Sequence, residues 1–151
     1  MIKKYLILLL FIPQIFFSCT RSINPLDEFA HNIISSLQNH DLKKFKENSI
    51  KFEDVLKTKS DLTRQEYDSR ISDMFIEIQN KFTEEGIDIR EYEIFEVREP
   101  YRKYESDGFI LVRFFTILKD AKGKYLKLDF TDCLKTEQGY LYADDLYIIK
   151  N

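Results

Sequence analysis

The 151-residue sequence has no tryptophan, only four glycines, three prolines, two histidines and two cysteines. Each shortage removes a class of chemistry. None of the glycines supplies a phosphate-cradling loop or flanks a serine in the Gly-x-Ser-x-Gly setting of hydrolase nucleophiles. His31 and His40 stand on a helix flank and a helix junction, so neither metal binding nor acid–base work is expected of them. A basic excess is also missing: 23 Lys and Arg face 26 Asp and Glu, for a formal charge of -3. Affinity for nucleic acid depends on neutralising phosphates with cations, and no basic stripe supplies them. No cofactor, metal or nucleic acid is therefore an expected partner.

What is present begins with a leader. Lys3 and Lys4 are followed by an apolar run from Tyr5 to Phe17, broken only at Pro13 and Gln14. A membrane-crossing helix needs roughly 20 apolar residues, and proline would break one here, so the pattern reads as a cleaved export signal over residues 1–18. Ordinary signal peptidase requires small residues one and three positions before its cut; Ser18 fits and Phe16 does not. The stretch Phe16-Phe17-Ser18-Cys19 resembles the lipobox of bacterial lipoproteins, with Phe16 where that family usually has Leu and Phe17 where it usually has a small residue. The resemblance implies acylation of Cys19, a lipid-anchored stalk over residues 19–24, and residence in the bacterial cell envelope on its periplasmic or surface face. Membrane lipid, reached through acylated Cys19, is then the first partner. Two or three acyl chains, at about 0.8 kcal/mol per buried methylene, make such a tether effectively permanent.

Lys3 and Lys4 are the leader's only charges, so its loss takes the formal charge from -3 to -5. With Cys19 lipidated, Cys133 is the single remaining thiol and no intrachain disulfide can form. Stability must come from packing, and 13 Phe with nine Tyr predict a core of Phe edged by Tyr hydroxyls.

Residues 25–151 read as one domain. Asn24 caps and Pro25 opens a helix whose stripe is Leu26, Phe29, Ala30, Ile33, Ile34 and Leu37. Asp41 caps a second, shorter helix with Leu42 and Phe45, and residues 50–56 fit either a short helix or a strand. Thr63 to Glu66 has capping-box spacing, and Tyr67, Ile71, Met74, Phe75, Ile78 and Phe82 trace one face of a long helix that stops near Gly86. Strands follow over residues 87–99, 109–118, around 126–130 and 140–150. The segment 100–108 reads as a hairpin loop, 109–118 as a strand buried on both faces, and Asp144-Asp145 as a bulge or bend. Three helices packed on one face of a roughly four-stranded antiparallel sheet belong to the α+β class.

The junction Leu37-Gln38-Asn39-His40-Asp41-Leu42 and the run Gly139-Tyr140-Leu141-Tyr142 are similar to the first helix junction and final strand of the nuclear transport factor 2-like (cystatin-like roll) superfamily. The likeness spans about residues 25–150. It implies a curled sheet closed by a long helix, and in the superfamily's enzymes the resulting cone holds Asp, His or Tyr. Members usually carry a strand hairpin between the second and third helices, whereas residues 50–62 leave room for one strand at most.

Within that frame Arg113 interrupts the most apolar strand and needs a partner. It marks an anion site on the concave sheet face or a structural pair with Glu93, Glu96 or Asp129. Asp129, Thr131 and Cys133 share one face of their strand, with Asp132 on the other, and Cys133 has no histidine to activate it. Tyr101 and Tyr104, with Arg102 and Lys103 between them, have the composition of a partner-contact loop. The function expected is a non-catalytic binding or scaffolding module. Its alternatives are a small-molecule pocket or enzyme of the roll type, in which Arg113 meets a carboxylate or a tyrosine hydroxyl, and a protein that neutralises or assembles another envelope protein. A possible envelope protein or small ligand is accordingly the second expected partner.

Overall fold

The computed structural model describes residues 24–106 and 108–150, so the leader, Cys19 and most of the stalk lie outside the described residues. The first helix, α1 (Pro25–Gln38), starts where Asn24 Oδ1 accepts the Leu26 N–H at 3.0 Å. In α2 (Leu42–Glu47) the capping acceptor is Asp41, which takes the Lys44 N–H at 2.9 Å. Residues 50–56 resolve as a four-residue helix, α3 (Phe52–Val55), entered through a bond from Ile50 N–H to the Tyr142 carbonyl at 2.7 Å. The long helix α4 (Arg64–Glu84) opens on a complete capping box between Thr63 and Glu66. It ends as Gly86 turns to φ 64 and the Ile87 N–H reaches back to the Phe82 carbonyl, a conformation that glycine adopts without a Cβ clash.

A 3₁₀ turn (Ile89–Glu91) then leads into six antiparallel strands: β1 (Tyr92–Val97), β2 (Arg102–Ser106), β3 (Phe109–Asp120), β4 (Tyr125–Thr136), β5 (Gly139–Tyr142) and β6 (Leu146–Lys150). The fold is α+β, with a curled antiparallel sheet forming a half-barrel and four α-helices, where the sequence suggests three helices and about four strands. The discrepancy in strands has a plain cause. The sheet has four strand positions, but both outer ones are broken: β1 and β2 share one edge of β3, while β5 and β6 share the far edge of β4. The first break surrounds Pro100, which has no N–H to donate, and the second surrounds Asp144-Asp145 as expected.

Two sequence expectations are corrected here. Residues 102–106 are strand, not loop; the hairpin closes between Ser106 and Phe109, with Gly108 at φ 76. And β3 is not buried on both faces. Val112, Phe114, Thr116 and Leu118 are buried, while Arg113, Phe115, Ile117 and Lys119 between them are half-buried.

The buried set meets the helices. Phe29 of α1 contacts Phe114 and Phe130 edge-on at 6.0 and 6.1 Å, and Phe45 of α2 lies 5.2 Å from Phe75 of α4 and 5.4 Å from Tyr142 of β5. Phe114 and Phe130, opposite each other on β3 and β4, stack at 4.8 Å. Fully burying rings of this size contributes about 1.5–3 kcal/mol each, so this cluster is the main source of the domain's stability. Two glutamines tie the layers: Gln38 donates to the Tyr92 carbonyl at 2.7 Å, and Gln79 to the Leu37 carbonyl at 2.7 Å.

Candidate functional site

The polar residues singled out in the sequence converge because of one irregularity in β4. Val112 pairs with Cys133 and Phe114 with Phe130, so Thr131 and Asp132 together oppose Arg113 alone. This bulge flips the side-chain alternation of β4. Before it, Leu126, Leu128 and Phe130 are buried and Lys127 and Asp129 half-buried; after it, Cys133 is the residue that joins the same core cluster, and Leu134 next to it is also buried. Asp129, Thr131 and Cys133 therefore do not share a face. Asp129 stays on the half-exposed side, and Thr131 turns in to donate to the Asp145 carbonyl at 2.8 Å.

Arg113 leans over the bulge. Its Nε donates to the Thr131 carbonyl at 2.9 Å and lies 3.7 Å from Asp132 Oδ1. The structural partner is thus Asp132, not Glu93, Glu96 or Asp129, because the extra residue of the bulge brings Asp132 to the side where Asp129 would otherwise be nearest. Partial burial works against the guanidinium charge, yet Asp132, Tyr101 and Tyr104 around it hold its pKa above the ordinary value.

Both tyrosines of the 101–104 segment join this group. Tyr101 stacks on Phe115 at 4.5 Å and 12° and donates to Asp129 Oδ1 at 3.0 Å. Tyr104 donates to Asp132 and lies under the Arg102 guanidinium at 5.2 Å. Burial and the carboxylate each one faces raise both phenol pKa values, so the hydroxyls remain donors. Lys127 sits 3.4 Å from the centre of the Phe115 ring, and Lys119 lies 5.4 Å from Phe95 and 5.2 Å from Tyr125. The result is a satisfied polar network on the side of the sheet away from the Phe29–Phe114–Phe130 core. Asp132, Phe115, Lys119 and Lys127 could not be assigned to it from spacing alone; the bulge brings Asp132 in, and the regular ladder from Phe114 to Lys119 against Tyr125 to Phe130 sets the company of the other three.

A cavity of about 570 Å³, which shares Asp132 with this network, lies between α4, the α3 region and the β2–β3 hairpin. Leu62, Tyr67, Met74, Phe109 and Leu111 form its apolar wall, and Arg70, Asp132 and Asp144 bring charge to it. Burial, and then the charge of neighbouring Asp145, raise the Asp144 carboxyl above the usual carboxylate range. Arg113 is absent from this lining. Cys133 is fully buried, and burial raises its thiol pKa well above the ordinary value, which keeps it protonated and unreactive. His31 and His40 are both exposed. Among the described residues no group of three or more His, Cys, Asp and Glu could hold a metal ion, and no helix is long and apolar enough to cross a membrane. No family model, curated protein or solved structure matches the chain.

Proposed function

We propose that the chain is a lipid-anchored lipoprotein of the bacterial cell envelope whose α+β domain binds through its surface, without chemistry of its own. The address rests on the leader and on Phe16-Phe17-Ser18-Cys19. For the domain, the observation that carries the reading is the engagement of Arg113. Its partners are the Thr131 carbonyl and Asp132, with exposed Tyr101 beside it, and Arg113 itself does not line the cavity beside α4. A guanidinium already held by protein acceptors serves structure more readily than catalysis. The curled sheet with a long helix beside it supports membership of the cystatin-like roll group, whose fold hosts many binding modules.

Replacing Cys19 with Ala tests the tether. Membrane fractionation should move the variant from the membrane to the soluble fraction, and mass spectrometry should find diacylglyceryl on Cys19 of the natural protein. Unchanged membrane association, or a free thiol on a processed chain, removes the lipoprotein reading.

The cavity beside α4 favours a second reading, a pocket for a small apolar molecule with a polar end. Its volume lies in the range of ligand sites, and it combines apolar walls with a few charged groups. Native mass spectrometry of protein taken directly from cells should then show a bound small molecule that is lost on Met74→Trp, a substitution that fills the cavity. A ligand-free mass sinks this reading and leaves the first intact.

A further inference from the structure

Two adjoining depressions, of about 550 and 440 Å³, lie along α1 and share Asn32, Glu47 and Asn48. Together they form one groove, running from the β4–β5 turn at Gln138 past Pro25 to Lys43 and Lys44 of α2. It has no residue in common with the cavity beside α4. From Pro25 to Ser35, which Lys44 reaches at 3.3 Å, α1 rises about 15 Å at ~1.5 Å per residue, so the groove is longer than one sugar ring. We propose that it binds a neutral, hydroxyl-rich ligand, an oligosaccharide.

Unmet bonding capacity is the first argument. The Asn32 and Gln138 amides, the Glu28, Glu47 and Glu137 carboxylates and the Tyr140 hydroxyl belong to the lining, and none of them has a hydrogen-bond or ion-pair partner among the described residues. Asn48 donates to the Lys44 carbonyl at 2.8 Å and keeps its Oδ1 as an acceptor. Burial raises the Tyr140 phenol pKa, so that hydroxyl stays a donor. The Arg113 network, by contrast, satisfies its groups within the protein. Phe29 and Tyr140, with ring centres 6.3 Å apart, and Leu141 give the groove an apolar floor for the C–H faces of a sugar ring.

Charge and topology select the class. Glu28 and Glu137 repel an anion at one end of the groove, while Lys43 and Lys44 repel a polycation at the other. Asp54, also in the lining, is already paired with Lys57 at 2.6 Å. A hydroxyl both donates and accepts, so one polyhydroxylated chain serves carboxylates, amides and ammonium groups in turn. Its bonds to the carboxylates are of the stronger, charge-assisted kind. An extended peptide fits less well. Strand addition needs a free sheet edge, and Tyr142 of β5 already gives its N–H to the Asn48 carbonyl at 2.8 Å and accepts the Ile50 N–H at 2.7 Å.

The inference goes beyond the proposed tether and depends neither on it nor on the cavity beside α4. Isothermal titration calorimetry tests it on full-length protein, extracted in a detergent without a sugar head group. Maltohexaose, xylohexaose and hexa-N-acetylchitohexaose are the probes, and at least one should bind saturably at one site per chain. Glu137→Leu should weaken that binding about tenfold or more, as expected for one lost charge-assisted hydrogen bond, and Asn32→Leu about fivefold. Both variants should keep the far-ultraviolet circular dichroism spectrum. Glu137 is exposed at the β4–β5 turn, so its variant keeps the test decisive if Asn32→Leu fails to fold. Met74→Trp, which fills the other cavity, should leave sugar binding unchanged. Absence of saturable binding for all three sugars overturns the inference, as does binding that survives both groove variants or is lost only on Met74→Trp. Spermine bound where the sugars are not would make the groove a cation site and also overturn it, while leaving the lipoprotein reading in place.

Discussion

Replacing Arg113 with Met keeps most of the side chain's apolar stem and removes its charge, so it asks whether this residue belongs to the fold. Two interactions are lost. The Nε–H to the Thr131 carbonyl, at 2.9 Å, is a charge-assisted bond worth about 1.5 kcal/mol net. The pair with Asp132 is longer, at 3.7 Å, and its side chains keep 30% and 21% of their surface, so solvent screens it to about 0.5 kcal/mol. The expected loss is therefore about 2 kcal/mol, part of it offset if the Thr131 carbonyl regains water. Urea unfolding measures it: with a slope of about 1.5 kcal/mol per molar, the midpoint should fall by about 1.3 M at constant slope. A cycle with Asp132→Asn isolates the pair, whose coupling should be near 0.5 kcal/mol. A midpoint unchanged within about 0.2 M would show that Arg113 contributes nothing to the bulge and stands free to receive an anion. That result would refute the structural assignment and revive the ligand-site reading.

Two further outcomes follow from burial. Phe130→Ala should cost about 3–5 kcal/mol, because the ring is fully buried between Phe114 at 4.8 Å and Phe29 at 6.1 Å; a loss below about 2 kcal/mol in urea unfolding would show that these rings are not the main source of stability. For Asp144 the sign runs opposite to that of a salt-bridged carboxylate: its folded pKa is raised, so the native state binds the proton more tightly than the unfolded chain does. Stability should fall as pH rises from the unfolded carboxylate value through the folded one, and Asp144→Asn should flatten that slope and stabilise the protein at neutral pH; thermal unfolding at a series of pH values checks it, and an unchanged or steeper slope counts against the assignment.

The helices were legible because their signals are local. Asn24 before Pro25, Asp41 before Leu42 and Thr63 with Glu66 each specify a cap from a few adjacent residues, and each makes the bond its spacing implies. The stripes from Leu26 to Leu37 and from Tyr67 to Phe82 are the faces that go inside, with Met74 half-buried at the margin. Alternation around Leu126, Leu128 and Phe130 likewise marked one half of β4. Residues 102–106 escaped because Arg, Lys, Tyr, Glu and Ser make a poor strand by propensity; as an edge strand they need only one paired side, and β3 supplies it.

The candidate site was legible in its membership more than in its pairing, and the reason is geometric. A strand's alternation predicts which side chains share a face only while its register holds, and one extra residue reverses every assignment beyond it. Nothing in Phe130-Thr131-Asp132-Cys133 announces a doubled position, since both Thr and Asp occur at ordinary strand positions and in bulges. What forces the doubling is long-range. Phe130 must reach Phe114 and Phe29, Cys133 must lie inside against Tyr142, and an even separation would be needed to put both inside without a bulge. The odd separation of 130 from 133 leaves two residues to absorb the phase change, and Thr131, held by the Asp145 carbonyl, is the one that turns inward. Asp132 is then left beside Arg113, so the structural pair that the sequence offered as one of two readings of this charge forms with the extra residue of the bulge and not with Glu93, Glu96 or Asp129.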